Sequence, residues 1–315
     1  MRAFVTDRAG VCWTLPVLTR WRMEYALGTP CDSFSLQCPW EAGSGAEPSR
    51  WVGFYAEEQG ERVFTGVVDE STVAQNEAGG FLELTGRGMA ARLLDNEALP
   101  QDYGVATQAD LLRDHVTPYG ISAVGGELPP VAGFSVAAGS SEWSVVYEFA
   151  RYHGGVTPRF DRLGRLVLSG WEDSQEKLLG DAAPVTALVC RDKRYGVLSE
   201  VLVRDRYSGA VQRVENARFR QDGGMARRVI TSPGRSSYKT MRYTGRFQLD
   251  RAAGERLRVE ATVAQPFCAW PGELVRVSRS GWERNGLFRV VASTVGLDRS
   301  GLWTRLELAE PDVVL

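Results

Sequence analysis

Histidine is scarce: the chain carries 2 in 315 residues. His115 and His153 each close a helix-forming run and neither neighbours a cysteine, so an imidazole-based metal centre lacks ligands. A His at a helix C-terminus is expected there as a partner of the helix dipole. Cysteine is sparse too. Cys12, Cys31, Cys38, Cys190 and Cys268 are odd in number, and no pair has C-x-x-C spacing. Cys31 and Cys38 bracket the strand-like "CDSFSLQC", where alternation puts them on opposite faces. Reduced thiols are therefore expected, not a disulfide framework. Neither charge sign dominates: 37 basic and 39 acidic residues leave a net −2, which speaks against a dedicated nucleic-acid binder. The locally basic "RDKRYG" (191–196) and "ARFRQDGGMARR" (217–228) read as solvated loops. The longest apolar stretch, "PPVAGFSVAAG" (129–139), falls short of the roughly 18 residues of a membrane helix. "MRAFVTDRAG" lacks the apolar core of a signal peptide, so synthesis in the cytoplasm without a membrane anchor is expected. Neither a G-x-S-x-G elbow, an H-E-x-x-H pair nor a P-loop occurs. Asp69 and Glu70 are adjacent and point to opposite faces of a strand. No catalytic, cofactor-binding or metal-binding residue is nominated.

What is present is β-rich. "FSLQCPW", "RWVGFYAEEQ", "RVFTGVVDEST" and "GFLELTGRG" are short, β-branched or aromatic, and separated by turn residues such as those of "EEQGER" and "NEAGG". Such spacing suggests an antiparallel sheet or barrel. Two helices are expected next. "TQADLLRDHVTPYGI" has Thr107 as N-cap and Pro118 and Gly120 as a stop; "SSEWSVVYEFARYHGG" has Ser140 or Ser141 as cap, with Trp143, Val146, Tyr147 and Ala150 on one face. "TPRFDRLGRLVLSG" reads as a hairpin turning at Leu163-Gly164. The last third returns to strands, from "PVTALVC" to "LWTRLELAE", with "SSYKTMRYTGRFQLDRAAGERL" helical between them and Gly245 interrupting its pattern. Turns are expected at Gly234, Gly281 and Gly286. The 9 tryptophans are read as core filling, with subunit interfaces as the sharper alternative.

One stretch tests a nucleotide reading. Gly86-Arg87-Gly88-Met89-Ala90-Ala91 spells G-x-G-x-x-A after a strand. A dinucleotide fold needs a parallel βαβ unit and an acidic residue about 20 positions on. Asp110 has the distance but lies inside a helix pattern, "DNEALP" cuts the first helix short, and antiparallel-looking hairpins precede the motif. A strand, a tight Gly turn and one or two helical turns burying Leu93 and Leu94 is the preferred reading.

Several segments, taken in order, carry a resemblance. They are "RVFTGVVDESTV…GFLELTGRGMAARLLDNEAL", "TQADLLRDHVTPYGI", "SSEWSVVYEFARYHGGVTPRFDRLGRLVLSG" and the run from "RRVITSPGRSS" to "RLELAEPDVV". Together, from about Asp32 onward, they resemble the phage tail baseplate hub proteins, the Mu-like hub of contractile tails above all, with relatives in tailocins and other contractile injection systems. The first thirty residues carry no match, and Gly272-Glu273-Leu274 lacks a Trp often found there. The resemblance implies a β-rich α+β fold: two similar antiparallel β-barrel domains with smaller α/β domains. The implied division is a first barrel over 1–97, a small α/β domain over 98–183, and a second barrel over 184–315 carrying an inserted helix-containing segment at about 233–285. It further implies a non-enzymatic homotrimer whose two barrels per chain make a pseudo-sixfold ring. That ring would join a sixfold tail tube protein to a threefold central spike protein, touch other baseplate proteins and the tape measure protein, and pass DNA or an effector. Assembly would occur in the host cytoplasm, followed by residence in the particle's tail baseplate. Gly86 and Gly88 would then serve strand closure and backbone turning. A tail-associated receptor- or glycan-binding protein and a tail-associated cell-wall hydrolase are the alternatives.

Overall fold

The computed structural model describes residues 1–28, 30, 32–41, 45–77, 79–171, 173–232 and 238–313. Cys31 and Gly234 lie outside them. The chain divides into two compact units. The first comprises Met1–Glu172, Ala264–Cys268 and Ala292–Thr304; the second comprises Asp173–Val263, Ala269–Val291 and Arg305–Leu315.

In the first unit, apolar residues at alternate positions make strands with one covered face. Arg2–Asp7 (β1) buries Ala3 and Val5, and Cys12–Thr14 (β2) pairs with it. Arg20–Ala26 (β3) buries Trp21, Met23 and Tyr25; Ser33–Pro39 (β4) buries Phe34, Leu36 and Cys38. Trp51–Glu58 (β5), Glu61–Asn76 (β6) and Gly79–Gly88 (β7) complete an antiparallel sheet of order β2-β1-β5-β6-β7-β4-β3. Residues Ala292–Leu297 from the end of the chain pair antiparallel beyond β3. Gln59 and Gly60, at φ 53° and 87°, form the tight turn between β5 and β6, the left-handed pair that matches strand twist.

This sheet is rolled. β4 and β5 stand three strand steps apart, about 14 Å in a flat sheet. Yet the Phe34 and Phe54 rings stack 3.8 Å apart. The Tyr25 hydroxyl on β3 likewise donates to the Val63 carbonyl on β6 at 3.0 Å. Phe64 packs edge-on against Phe34, so an aromatic centre fills the curl.

A small α/β module follows within the same unit. It comprises Ala91–Leu94 (α1), Gln101–Ala106 (β8), Gln108–His115 (α2), Ala123–Gly125 (β9), Val131–Val136 (β10), Glu142–Tyr147 (α3), Arg159–Phe160 (β11) and Leu166–Leu168 (β12). Thr107 caps α2 in a reciprocal box with Asp110, and Ser141 caps α3. Gly120, at φ 69°, ends the turn after α2. The expected second helix continues past Tyr147 as a π-helical turn, Glu148–His153. Gly164, at φ 74°, turns the β11–β12 hairpin. Leu93, Leu111, Phe134, Trp143, Val146, Phe149 and Leu166 form one core.

The second unit holds Glu176–Gly180 (β13), Val185–Asp192 (β14), Glu200–Asp205 (β15), Val211–Glu215 (β16), Ala217–Gln221 (α4), Arg227–Ser232 (β17), Tyr238–Gly254 (α5), Leu257–Val263 (β18) and Leu274–Ser278 (β19). Gly286–Asp298 (β20) and Gly301–Ala309 (β21) each contribute residues to both units. β14 pairs antiparallel with β18, whereas β13 runs parallel to β19. A separate three-stranded sheet, β16-β15-β17, lies under α5, with β17 parallel to β15. Helix α5 runs straight through Gly245. A Cβ there would meet the Val214 side chain at 2.6 Å, so the glycine permits close packing of helix on sheet and does not interrupt the helix. Val201, Val203, Met241 and Leu249 are the core of this subassembly.

Candidate assembly surface and its polar anchors

Gly86 and Gly88 lie inside β7, between β4 and β6. A Cβ on Gly86 would meet the Val67 carbonyl oxygen at 2.0 Å and the Phe34 ring at 2.5 Å; on Gly88 it would meet Asp32 at 2.9 Å. They permit close approach of strands. Neither has a positive φ, and the turn expected at the glycines falls instead on Met89 and Ala90, ahead of α1. Leu93 is fully buried and Leu94 half-buried, as the inward-packing expectation required. No phosphate cradle is formed, because the strands around the glycines run antiparallel.

Arg87, between those glycines, forks onto two carboxylates. Its Nε and Nη2 donate to Asp69 at 2.8 and 2.9 Å, and Nη1 and Nη2 donate to Asp95 at 2.9 and 2.7 Å. The hydrogen bonds from Arg87 hold the Asp95 carboxyl below the usual carboxylate range. This clamp ties β6 to the end of α1.

His115 is not a solvent-facing helix cap. It is buried, with Nδ1 2.6 Å from Glu142 Oε2 and Nε2 3.0 Å from the Tyr103 hydroxyl. Tyr119 donates to Glu142 Oε1 at 2.7 Å, and Tyr103 donates to Asp114 at 2.9 Å. Hydrogen bonding to Glu142 and burial push the Tyr119 phenol up to about 12; burial and Asp114 do the same for Tyr103. The cluster joins β8, α2, the turn after it and α3, and satisfied polar groups of this kind specify one packing arrangement. The sequence showed His115 near Asp114 but not Glu142, 27 positions away. His153 lies in the π-helical turn, and its side chain is outside the described set. Cys12, Cys38, Cys190 and Cys268 are free thiols. Among the described residues no three His, Cys, Asp or Glu side chains group as metal ligands.

The locally basic stretches are laced with carboxylates. Arg191 pairs with Glu260, Lys193 with Glu255, Arg220 with Glu215, and Arg227 with Glu200, which also takes Arg213 from outside these stretches. The tryptophans are not displayed: Trp21, Trp51 and Trp143 are buried and the other six half-buried.

Several strand edges are open, among them β2, β13, β16 and β17, and two of them are long. Beyond Val67, β6 no longer pairs with β5, so from Glu70 to Gln75 it has β7 on one side only. β14 ends its sheet, with β18 as its single partner. Val73 is 56% and Val189 43% exposed on these two edges. Open edges of this length are templates for another strand.

With these features in view, the chain aligns over nearly its whole length with solved tail proteins. A tail protein from Neisseria meningitidis MC58 superposes with TM-score 0.80 at 18% identity, covering 99% of this chain and 98% of that one. The fold is that of phage tail proteins. The 43 kDa tail protein of prophage MuSo2 from Shewanella oneidensis gives TM-score 0.79 at 19% identity, with 99% of each chain covered. Prophage tail protein gp18 from Listeria monocytogenes EGD-e gives 0.64 at 10% identity, over 98% and 94%. No family model matches the sequence, and no curated protein does. The tail-protein fold spans this whole chain and not merely one of its units.

Proposed function

We propose that this chain is a structural tail-hub protein and not an enzyme. It would assemble as a homotrimer whose two barrel modules, about 1–97 and 184–315 with an inserted helix-containing segment at about 233–285, separated by an α/β domain over 98–183, alternate around a pseudo-sixfold ring. The ring would join a tail tube protein above to a central spike protein below, contact other baseplate proteins and the tape measure protein, and leave a passage for DNA or an effector. Its place would be the tail baseplate, after assembly in the host cytoplasm. The observation that carries this reading is the end-to-end match to tail proteins at TM-scores of 0.80 and 0.79. Two half-sites per chain convert threefold into near-sixfold symmetry, and a closed ring consumes edges that would otherwise drive open-ended association.

The receptor- or glycan-binding alternative needs a cluster of displayed tryptophans, and the half-buried or buried state of every Trp weighs against it. Native mass of the assembled species, with its rotational symmetry in negative stain, tests the hub reading. A threefold particle with six similar lobes is expected. A strict monomer, alone and with tube and spike proteins added, refutes it. Turnover of purified peptidoglycan, or glycan binding lost on one Trp substitution, would replace it.

A further inference from the structure

Two of the open edges match each other. We propose that β6 of one copy pairs antiparallel with β14 of the next, in the register Glu70–Arg191, Ser71–Cys190, Thr72–Val189 and Val73–Leu188. This rests on the trimeric reading and names the seam through which the copies join.

Three observations select the seam and its register. The free lengths are similar: Glu70–Gln75 on β6 and the eight residues of β14. The faces agree as well. Within its own sheet Ser71 lies opposite Leu84 and Val73 opposite Leu82, both fully buried, so these two residues stand on the core face. Cys190 lies opposite Val259 and Leu188 opposite Ala261, again fully buried. In the proposed register Val73 and Leu188 abut, and one apolar face runs on across the junction. A slip of one residue would set each core row against the other strand's solvent row. Charge separates the remaining choices. Glu70 and Arg191 share the solvent face and oppose each other, with Arg191 placed between Glu70 and its own chain's Glu260, whereas a parallel arrangement sets Glu70 near Val185. The pairing joins two different strands, β6 on β14, so it can run head-to-tail from copy to copy and close a ring of three.

Disulfide trapping in the assembled full-length protein tests this. Ser71→Cys places a thiol opposite the native Cys190. Mild oxidation should give covalent dimers and trimers on a non-reducing gel, absent when Cys190→Ser is added. Native mass is measured on the same sample. A trimer that forms no such bond overturns the seam and leaves the hub reading standing; a strict monomer overturns both. A charge exchange checks the register without any thiol. Glu70→Arg alone should weaken assembly about two- to five-fold, and adding Arg191→Glu together with Glu260→Arg, which keeps the pair within the chain, should restore it. Weakening without restoration overturns the register.

Discussion

The sharpest perturbation is one methyl group on Gly86. Its Cβ would sit 2.0 Å from the Val67 carbonyl oxygen and 2.5 Å from the Phe34 ring. Ordinary contact needs about 3.4 Å, so β6 and β7 would have to part by more than an ångström where Val68 faces Gly86. Two ladder hydrogen bonds at about 1 kcal/mol each would weaken. Displacing Phe34 from its stack on Phe54 adds about 1–3 kcal/mol of overpacking strain. Gly86→Ala should therefore destabilise the first unit by about 3–5 kcal/mol. At about 2–4 °C per kcal/mol, that lowers its melting temperature by roughly 10 °C. Urea unfolding followed by tryptophan fluorescence, with Trp21 and Trp51 as buried reporters, reads the change. A loss below about 0.5 kcal/mol would refute the close-approach account of this glycine.

Four further outcomes are expected. Burial raises the Asp32 carboxyl to about 7, partly offset by the hydrogen bond from the Ala26 N–H. The folded value lies above the unfolded 3.8, so the folded state binds the proton more readily and stability should rise as pH falls from 7 towards 4, by at most about 4 kcal/mol. Asp32→Asn should flatten that slope and stabilise the protein at pH 8, as denaturation midpoints at pH 5 and pH 8 would reveal. Glu142→Ala leaves His115 and Tyr119 without their shared acceptor and should cost about 3 kcal/mol, whereas Thr107→Ala, at a helix cap, should cost about 1; equal losses would show the buried cluster to be incidental. Arg289→Met removes the buried donor to Asp173, Gly272 and Pro311 and should cost about 2–4 kcal/mol, measured by thermal melting. In an assembled ring, the passage should lack large apolar patches; a map dominated by Leu, Phe and Trp would contradict transit of DNA.

The sequence by itself determined much of the local structure. Alternation of apolar residues marked β4 to β7, Thr107 capped α2 and Gly120 closed the turn after it, because these signals act within a few residues of one another. The same alternation at Trp21, Met23 and Tyr25 was available for β3 and was not read as a strand. Tertiary structure decided what long-range contact controls. It set residues from the end of the chain beside β3, ran β13 and β17 parallel to their partners, and carried α5 through Gly245 because Val214 lies against it. It also brought Glu142 onto His115 and made Gly86 a point of strand contact where a tight glycine turn was expected. Strand neighbours and buried polar partners depend on which surfaces meet after the chain has rolled up, and residue spacing along the chain does not record that choice.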